Sequence, residues 1–176
     1  MVSLVLPPLA ADARAFAIDA HGGQRYGEHP YVVHLDEVVA ILHAFVVAPG
    51  PELLVIGYLH DVVEDTPVTL TQVGQRFGEG VARCVDLLTD APGRNRKERK
   101  AATYARLAEV PPDAPEGRAL VVKAADRLAN ARRCVADDEP RLLAMYQGEH
   151  PTFRSAAWRP ALVDPLWQEL DAILGS

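Results

Sequence analysis

The sequence is poor in cysteine, with only Cys84 and Cys134 among its 176 residues. The two residues are far apart, and each lies in an apolar segment of helical character. This usage argues against a disulfide framework and against a cysteine-rich metal site. We therefore expect two buried free thiols.

Long apolar runs are also missing. No stretch approaches the roughly 18–20 residues that a membrane-spanning helix needs. The N-terminal segment 1–8 is short, lacks a basic leader and is interrupted by Pro7 and Pro8, so it matches a signal peptide poorly. These absences predict a cytoplasmic protein that does not bind a membrane.

Basic residues are too few for a general nucleic-acid binder. The chain has 18 Lys and Arg against 24 Asp and Glu, a formal net charge of −6, whereas nucleic-acid-binding domains usually carry a basic excess. One segment, 94–100, is locally basic. Such a run is either a solvated helix face or a local attractor for a small anion, and the sequence supports both interpretations.

Strand-like alternation is missing too, and the hydrophobic pattern is helical nearly throughout. The predicted helices cover residues 9–20, 31–47, 52–63, 70–77, 79–89, 94–110, 118–136, 140–158 and 161–174. Thr69 and Gln72 form a candidate capping box before the fourth helix. Residues 21–30 and 111–117 are rich in Gly or Pro and predict loops. With 49% apolar residues, the chain predicts one all-α domain over residues 1–176, with about eight or nine helices.

Several polar residues fall on helix faces that are otherwise apolar. His34 lies on the inward face of the second predicted helix, and His60 lies on that of the third, followed directly by Asp61. A polar stripe also runs along the long helix 118–136, formed by Lys123, Asp126 and Asn130. Taken singly, each residue is typical of a hydrogen-bonded core histidine or a capping or paired aspartate.

Taken together, these residues favour a metal site. Two imidazoles and two carboxylates are expensive to bury without partners, and a cation removes that cost. The mixed nitrogen and oxygen set suits Mn²⁺ or Fe²⁺ with open water positions better than a closed structural zinc site. The candidate ligands are His34, His60, Asp61 and Asp126.

An acidic pair follows the His60-Asp61 dipeptide. Glu64 lies four residues after His60, and Asp65 lies four after Asp61, so a continuing helix would place each acid one turn beyond a candidate ligand. Negative charge is unfavourable at a helix C-terminus, and a nearby cation would reverse that effect. The pair could exchange protons with water, or it could be a solvated acidic loop.

Three stretches resemble the HD-domain phosphohydrolases. They read HGGQRYGEHPYVVH at 21–34, HDVVEDT at 60–66 and VKAADRLAN at 122–130. More narrowly, they resemble the hydrolase domain of the RelA/SpoT alarmone enzymes and the stand-alone small alarmone hydrolases. The resemblance covers about residues 13–146.

The resemblance implies an all-helical fold and manganese-dependent removal of the 3′-pyrophosphate from guanosine tetra- and pentaphosphate, giving GDP or GTP. It implies one Mn²⁺ ion, with Fe²⁺ or another divalent ion as alternatives. A chain of this length has no room for a synthetase domain, so we expect degradation without synthesis.

The resemblance also assigns roles residue by residue. The implied metal ligands are His34, His60, Asp61 and Asp126. The implied catalytic acids, which position water and handle protons, are Glu64 and Asp65. The implied contacts to the nucleotide and its phosphates are Arg25, Lys97, Arg99, Lys123, Arg127, Asn130 and Tyr146.

Two positions depart from the family pattern. Tyr26 stands where the family often has Lys or Arg, and Ala129 stands where it often has His. The Tyr26 departure removes a positive charge near the expected nucleotide pocket. It bears on the identity of the substrate more than on the metal.

Other interpretations remain open at this point. An HD phosphohydrolase acting on another nucleotide, such as a nucleotidase or an NADPH phosphatase-like enzyme, would share the metal ligands. A catalytically silent nucleotide-binding module would not need Glu64 and Asp65. The absence of a P-loop motif and of a Gly-x-Ser-x-Gly motif disfavours a P-loop NTPase and a serine hydrolase. The expected partner is a small guanine nucleotide, with no nucleic acid and no membrane, and the sequence is compatible with a homodimer.

Overall fold

A computed structural model describes residues 6–175 of the chain. Within this range the chain forms nine helices of eight or more residues, one helix of four residues, and two strands of two residues each. The elements are α1 Pro8–His21, β1 Arg25–Tyr26, β2 His29–Pro30, α2 Val32–Phe45, α3 Pro51–Leu59, α4 Val62–Asp65, α5 Leu70–Phe77, α6 Glu79–Leu88, α7 Arg96–Ala108, α8 Gly117–Ala136, α9 Pro140–Ala157 and α10 Asp164–Leu174. Residues 1–5 of the N-terminal segment interpreted above lie outside the described residues.

Helix α3 is the most deeply buried element, with every residue from Leu53 to Leu59 buried. It is apolar all around, as a helix surrounded by others must be. Helices α1, α2, α6 and α8 pack against it. Gly57 allows the close approach to α2, because a Cβ there would lie 2.9 Å from Leu42 Cδ1. The core is therefore built from helix packing, as predicted.

Helix α8 forms the second centre of packing. It contacts α2, α3, α6, α9 and α10, and thirteen of its residues are buried, among them the charged Lys123 and Arg127. Because α2, α3 and α8 pack against one another, their inward polar residues meet at one place.

The structure corrects two details of the predicted secondary structure. The loop predicted at 21–30 contains a short hairpin, in which Arg25 pairs with Pro30 and Tyr26 pairs with His29. Gly27 turns the chain there with φ +57°, a conformation that glycine adopts readily. A ladder of two pairs is too short to produce an alternating pattern, so the strands left no periodic signal in the sequence.

The second correction concerns the helix predicted over 52–63. It is divided, since α3 ends at Leu59 and α4 begins at Val62. Asp61, between them, has φ −105° and ψ −4°, in the bridge region beside the α-helical one. The acids of the following segment thus belong to a separate short helix.

Several local predictions are confirmed. The Thr69 hydroxyl accepts a hydrogen bond from the Gln72 backbone N–H, and the Gln72 side chain accepts one from the Thr69 backbone, which completes the capping box of α5. Cys84 and Cys134 are both free and buried. Among the described residues, every helix is too short or too polar to cross a bilayer.

Candidate metal centre

Four polar side chains from three parts of the fold converge at one point. His34 comes from α2, His60 and Asp61 from the turn between α3 and α4, and Asp126 from α8. The Nε2 atoms of the two histidines are 3.2 Å apart. Asp61 Oδ2 lies 2.9 Å from His60 Nε2, and Asp126 Oδ1 lies 3.3 Å from His34 Nε2. The predicted ligand set is thus brought together.

The orientation of the histidines suits metal coordination. His60 Nδ1 lies 2.8 Å from the carbonyl oxygen of Gly57, which accepts the Nδ1 proton and leaves the Nε2 lone pair facing the cluster. His34 also presents Nε2 to the carboxylates. Both rings are buried, with 2% and 0% of their side-chain surfaces exposed.

The charges in the cluster favour a cation. Burial opposes a charged imidazole, but the carboxylates of Asp126 and Asp61 prevail and raise the pKa of His34 to about 10. The pKa of His60 is raised as well, against its burial, by Asp61. Burial disfavours the ionised carboxylates, yet the histidines hold the pKa values of Asp61 and Asp126 below their usual range. A proton and a metal ion both bring the positive charge that balances these carboxylates. A divalent ion brings twice the charge of a proton.

The donor chemistry fits a divalent metal. Ligand atoms of His34, His60 and Asp61 all lie within 4.8 Å of one another, and Asp126 adds a second carboxylate. Two neutral nitrogens and two anionic oxygens suit a borderline or hard divalent cation with positions left for water. A closed thiolate site is excluded, because neither cysteine belongs to the cluster.

Neighbouring polar groups hold the two carboxylates. The Tyr31 hydroxyl donates to Asp61 Oδ2 over 2.5 Å. Asn130 Nδ2 donates to Asp126 Oδ1 over 2.7 Å, and Tyr26 in turn donates its hydroxyl proton to Asn130 Oδ1 over 3.0 Å. These contacts orient the oxygens around the cluster.

The acidic pair lies on α4, directly after the turn that carries His60 and Asp61. Glu64 Oε2 accepts the backbone N–H of Asp90 over 2.9 Å, and Asp65 Oδ2 accepts the side-chain amide of Gln24 over 2.8 Å. Neighbouring protein groups displace part of the water around Glu64. This desolvation raises the pKa of Glu64, against the opposing hydrogen bond from Asp90.

The predicted phosphate contacts on the surface fall into two groups. Lys97 is exposed on the first turn of α7, and Arg99 Nε lies 3.9 Å from Asp90 Oδ2. Arg25 is exposed in the hairpin and donates to the Glu28 carbonyl oxygen. These three cations are accessible to a ligand from solvent.

Of the remaining predicted contacts, Asn130 and Tyr146 are half-buried, and Lys123 and Arg127 are buried. Lys123 Nζ donates to the Leu88 carbonyl oxygen over 3.1 Å and lies 3.6 Å from Asp126 Oδ2. Arg127 donates to Glu149 over 3.1 Å, and its guanidinium lies 4.6 Å from the centroid of the Tyr146 ring. Lys123 and Arg127 are both bonded to protein acceptors.

Sequence reasoning did not find Gln24, Tyr31, Asp90 or Glu149. Tyr31 was the most predictable of these from the sequence, because it lies three residues before His34 and so on the same side of the chain at the start of α2. Gln24 lies in the first motif, but its partner Asp65 is 41 residues away. Asp90 and Glu149 act through contacts between distant segments, for which the sequence carries no local signal.

The fold and the cluster together define a helical metal-binding domain. The family model for the HD domain matches residues 13–148, and the chain belongs to that family. HD domains bind divalent metal ions, and this chain carries the corresponding His-His-Asp cluster.

Curated relatives carry names that describe an activity. A Synechocystis protein named "Probable guanosine-3′,5′-bis(diphosphate) 3′-pyrophosphohydrolase" is 37% identical over 130 residues, covering 70% of this chain and 16% of that protein. An Escherichia coli K12 protein named "Bifunctional (p)ppGpp synthase/hydrolase SpoT" is 35% identical over 120 residues, covering 66% and 16%. The chain thus spans about a sixth of the length of these relatives.

A solved structure shares the fold over nearly the whole chain. It is described as "A metazoan ortholog of SpoT hydrolyzes ppGpp and plays a role in starvation responses", and it superposes with a TM-score of 0.76 at 24% identity. The match covers 98% of this chain and 99% of that one. Nearly the whole chain therefore shares the fold of a protein of similar length.

Proposed function

We propose that this protein is a metal-dependent hydrolase that removes the 3′-pyrophosphate from guanosine tetra- or pentaphosphate, releasing GDP or GTP and pyrophosphate. The observation that carries the proposal is the convergence of His34, His60, Asp61 and Asp126 beside an acidic pair. The names of the curated relatives supply the substrate.

We propose that the protein binds one Mn²⁺ ion, with those four residues as its ligands. The open nitrogen and oxygen donor set supports Mn²⁺ or Fe²⁺ over structural zinc. When bound, such an ion supplies activation of water and neutralisation of phosphate charge. The two free, buried thiols fit a reducing compartment, and we place the enzyme in the cytoplasm.

In this proposal the acidic pair handles the proton of the attacking water. Glu64 is the stronger candidate for general base, because its pKa is raised toward neutral pH, where a general base works best. Its hydrogen bond from the Asp90 N–H fixes Oε2. Asp65, held by Gln24, orients the water or receives the proton in a later step.

Cations and polar groups would bind the nucleotide. Arg25, Lys97 and Arg99 are accessible and would neutralise phosphate charge. Asn130 would contact the ribose or a phosphate, and Tyr146 would line the nucleoside pocket. Lys123 and Arg127 would contact phosphate only by exchanging the protein acceptors that they now hold.

The experiment uses protein stripped of metal, reloaded with Mn²⁺ and incubated with guanosine tetraphosphate, with products separated by anion-exchange chromatography. GDP together with intact pyrophosphate supports the proposal and identifies the bond that is cleaved. An Asp126→Asn variant is the control, and it should lose both Mn²⁺ binding and turnover. No turnover by wild-type protein carrying one equivalent of Mn²⁺ would contradict the proposed substrate.

One observation favours a second candidate, hydrolysis of a different nucleotide. Tyr26 replaces a basic residue common in the family, and its neutral hydroxyl is bonded to Asn130. A pocket with one fewer positive charge would suit a less highly phosphorylated nucleotide. A panel of nucleoside mono- and triphosphates, assayed for phosphate release, tests this candidate.

A further inference from the structure

The first sequence motif contains three polar residues that are neither metal ligands, nor members of the acidic pair, nor nucleotide contacts in the proposed function. His21 is the last residue of α1, Gln24 precedes the hairpin, and Tyr31 is the N-cap of α2. We propose that His21, Gln24 and Tyr31, here called the positioning group, set the orientations of the Asp61 and Asp65 carboxylates. This inference rests on the proposed function for the roles of the two aspartates.

Tyr31 acts on Asp61. Its hydroxyl donates over 2.5 Å to Asp61 Oδ2, the same oxygen that lies 2.9 Å from His60 Nε2. A charge-assisted bond of this length restrains the carboxylate, so that Oδ2 stays directed at the histidines. Tyr31 therefore fixes a proposed metal ligand without occupying a coordination position.

Gln24 acts on Asp65. A carboxylate accepts hydrogen bonds only, so the amide nitrogen of Gln24 must face Asp65, at the observed distance of 2.8 Å. The amide oxygen then faces His21 Nδ1, also at 2.8 Å. His21 Nδ1 must consequently carry a proton and donate it to Gln24.

His21 connects the two branches. Its ring stacks on the Tyr31 ring, with centroids 4.3 Å apart and an interplanar angle of 26°, while Nδ1 orients the Gln24 amide. Only 7% of its surface is exposed. One buried ring thus supports the donor to Asp61 by stacking and the donor to Asp65 by hydrogen bonding.

The backbone places all three residues together. Gln24 N–H donates to the His21 carbonyl over 2.9 Å, and Tyr31 N–H donates to the Gln24 carbonyl over 3.1 Å. The hairpin between Gln24 and Tyr31 is thereby closed at its base, by the two residues whose side chains donate to Asp65 and Asp61. Arg25, within the hairpin, is exposed.

Tyr31→Phe and Gln24→Met separate the two branches. We expect Tyr31→Phe to weaken Mn²⁺ binding about 10- to 100-fold, the usual effect of losing a partner of a ligand. We expect Gln24→Met to leave the Mn²⁺ dissociation constant and KM within about twofold and to lower kcat about 10-fold. Isothermal titration calorimetry gives the first quantity and guanosine tetraphosphate turnover the second.

Two substitutions of His21 test its double role. His21→Phe keeps a ring for stacking and removes the donor, so it should reproduce Gln24→Met. His21→Asn places an amide nitrogen near the position of Nδ1 and removes the ring, so it should retain kcat and weaken Mn²⁺ binding. A purely structural role would not produce this reciprocal pattern.

Tyr58→Phe is the matched control. Its hydroxyl donates to Asp36 over 3.2 Å, and Asp36 is paired with Arg14 rather than with the cluster. This variant should keep the Mn²⁺ dissociation constant and kcat unchanged.

The proposal is overturned if Tyr31→Phe binds Mn²⁺ like wild type, if Gln24→Met keeps full kcat, or if kcat and Mn²⁺ affinity fall together in every variant of the group. If wild-type protein does not hydrolyse guanosine tetraphosphate, the proposed substrate is refuted, and the Mn²⁺ titrations of Tyr31→Phe and His21→Asn decide the positioning role alone.

Discussion

Replacing Glu64 with Gln removes one proton acceptor while preserving the contact that holds the side chain. The Asp90 N–H now donates to the carboxylate oxygen Oε2 of Glu64 over 2.9 Å, and the amide oxygen of Gln can accept the same hydrogen bond. The substitution removes the negative charge of the carboxylate and its ability to take a proton. Glu64→Gln is therefore a narrow test of the general-base assignment.

The expected loss in kcat is about 10²–10⁴, the usual contribution of a positioned proton-transfer group. At about 1.4 kcal/mol per tenfold change, this corresponds to roughly 3–6 kcal/mol of transition-state stabilisation. Metal affinity should be unchanged, because Glu64 is not among the four converging ligands. Stability should change by less than about 0.5 kcal/mol, since Gln has nearly the shape of Glu and the hydrogen bond from the Asp90 N–H is retained.

Steady-state kinetics, Mn²⁺ titration and urea denaturation measure these three quantities. Glu64→Ala serves as the comparison, because it also removes the acceptor for the Asp90 N–H and should cost about 1 kcal/mol more in stability.

The pH profile of kcat/KM adds a further check. Because the pKa of Glu64 is raised above its ordinary value, the acidic limb of kcat/KM should lie above pH 4.5 and be absent in Glu64→Gln. Full activity in Glu64→Gln would refute the assignment.

Three further predictions follow from other parts of the site. Lys97→Ala should raise KM several-fold and leave the free energy of unfolding within about 0.5 kcal/mol, because Lys97 is exposed; an unchanged KM would restore the interpretation of the basic segment as a solvated face. Glu149→Gln should destabilise the protein by about 2 kcal/mol in urea denaturation, since it weakens the bond to the buried guanidinium of Arg127; a wild-type urea midpoint would show that this pair is not stabilising. In metal-free protein, the stability that protonated His34 contributes is fully present below about pH 6.5 and lost as pH rises through about 10. Mn²⁺ affinity, measured by calorimetry, should rise over the same range as the competing proton leaves, and a pH-independent affinity would contradict the raised pKa.

Local sequence signals predicted a large part of the fold. The Thr69 and Gln72 capping box and the loop at 111–117 depend on neighbouring residues, so their physics is readable from a short window. The placement of His34 and Asp126 followed from helical periodicity, because a residue on the apolar face of a packed helix must point inward.

Contacts between distant segments were not predictable in this way. Lys123 was placed on an inward stripe and interpreted as a nucleotide contact, but its bond to the Leu88 carbonyl depends on how α6 and α8 pack. Glu149 joins Arg96 and Arg127 from a third helix. No periodicity within one helix carries information about such partners.

The irregular turn at Asp61 has a consequence for engineering this protein. In an uninterrupted helix, consecutive side chains diverge by about 100° around the axis, whereas here His60 and Asp61 bring two donor atoms to 2.9 Å. Substitutions that raise helix propensity across residues 59–62 would favour a continuous helix and draw the two side chains apart. Selection for heat resistance alone would therefore work against metal binding in this segment, the trade-off expected where a functional site depends on an interrupted element.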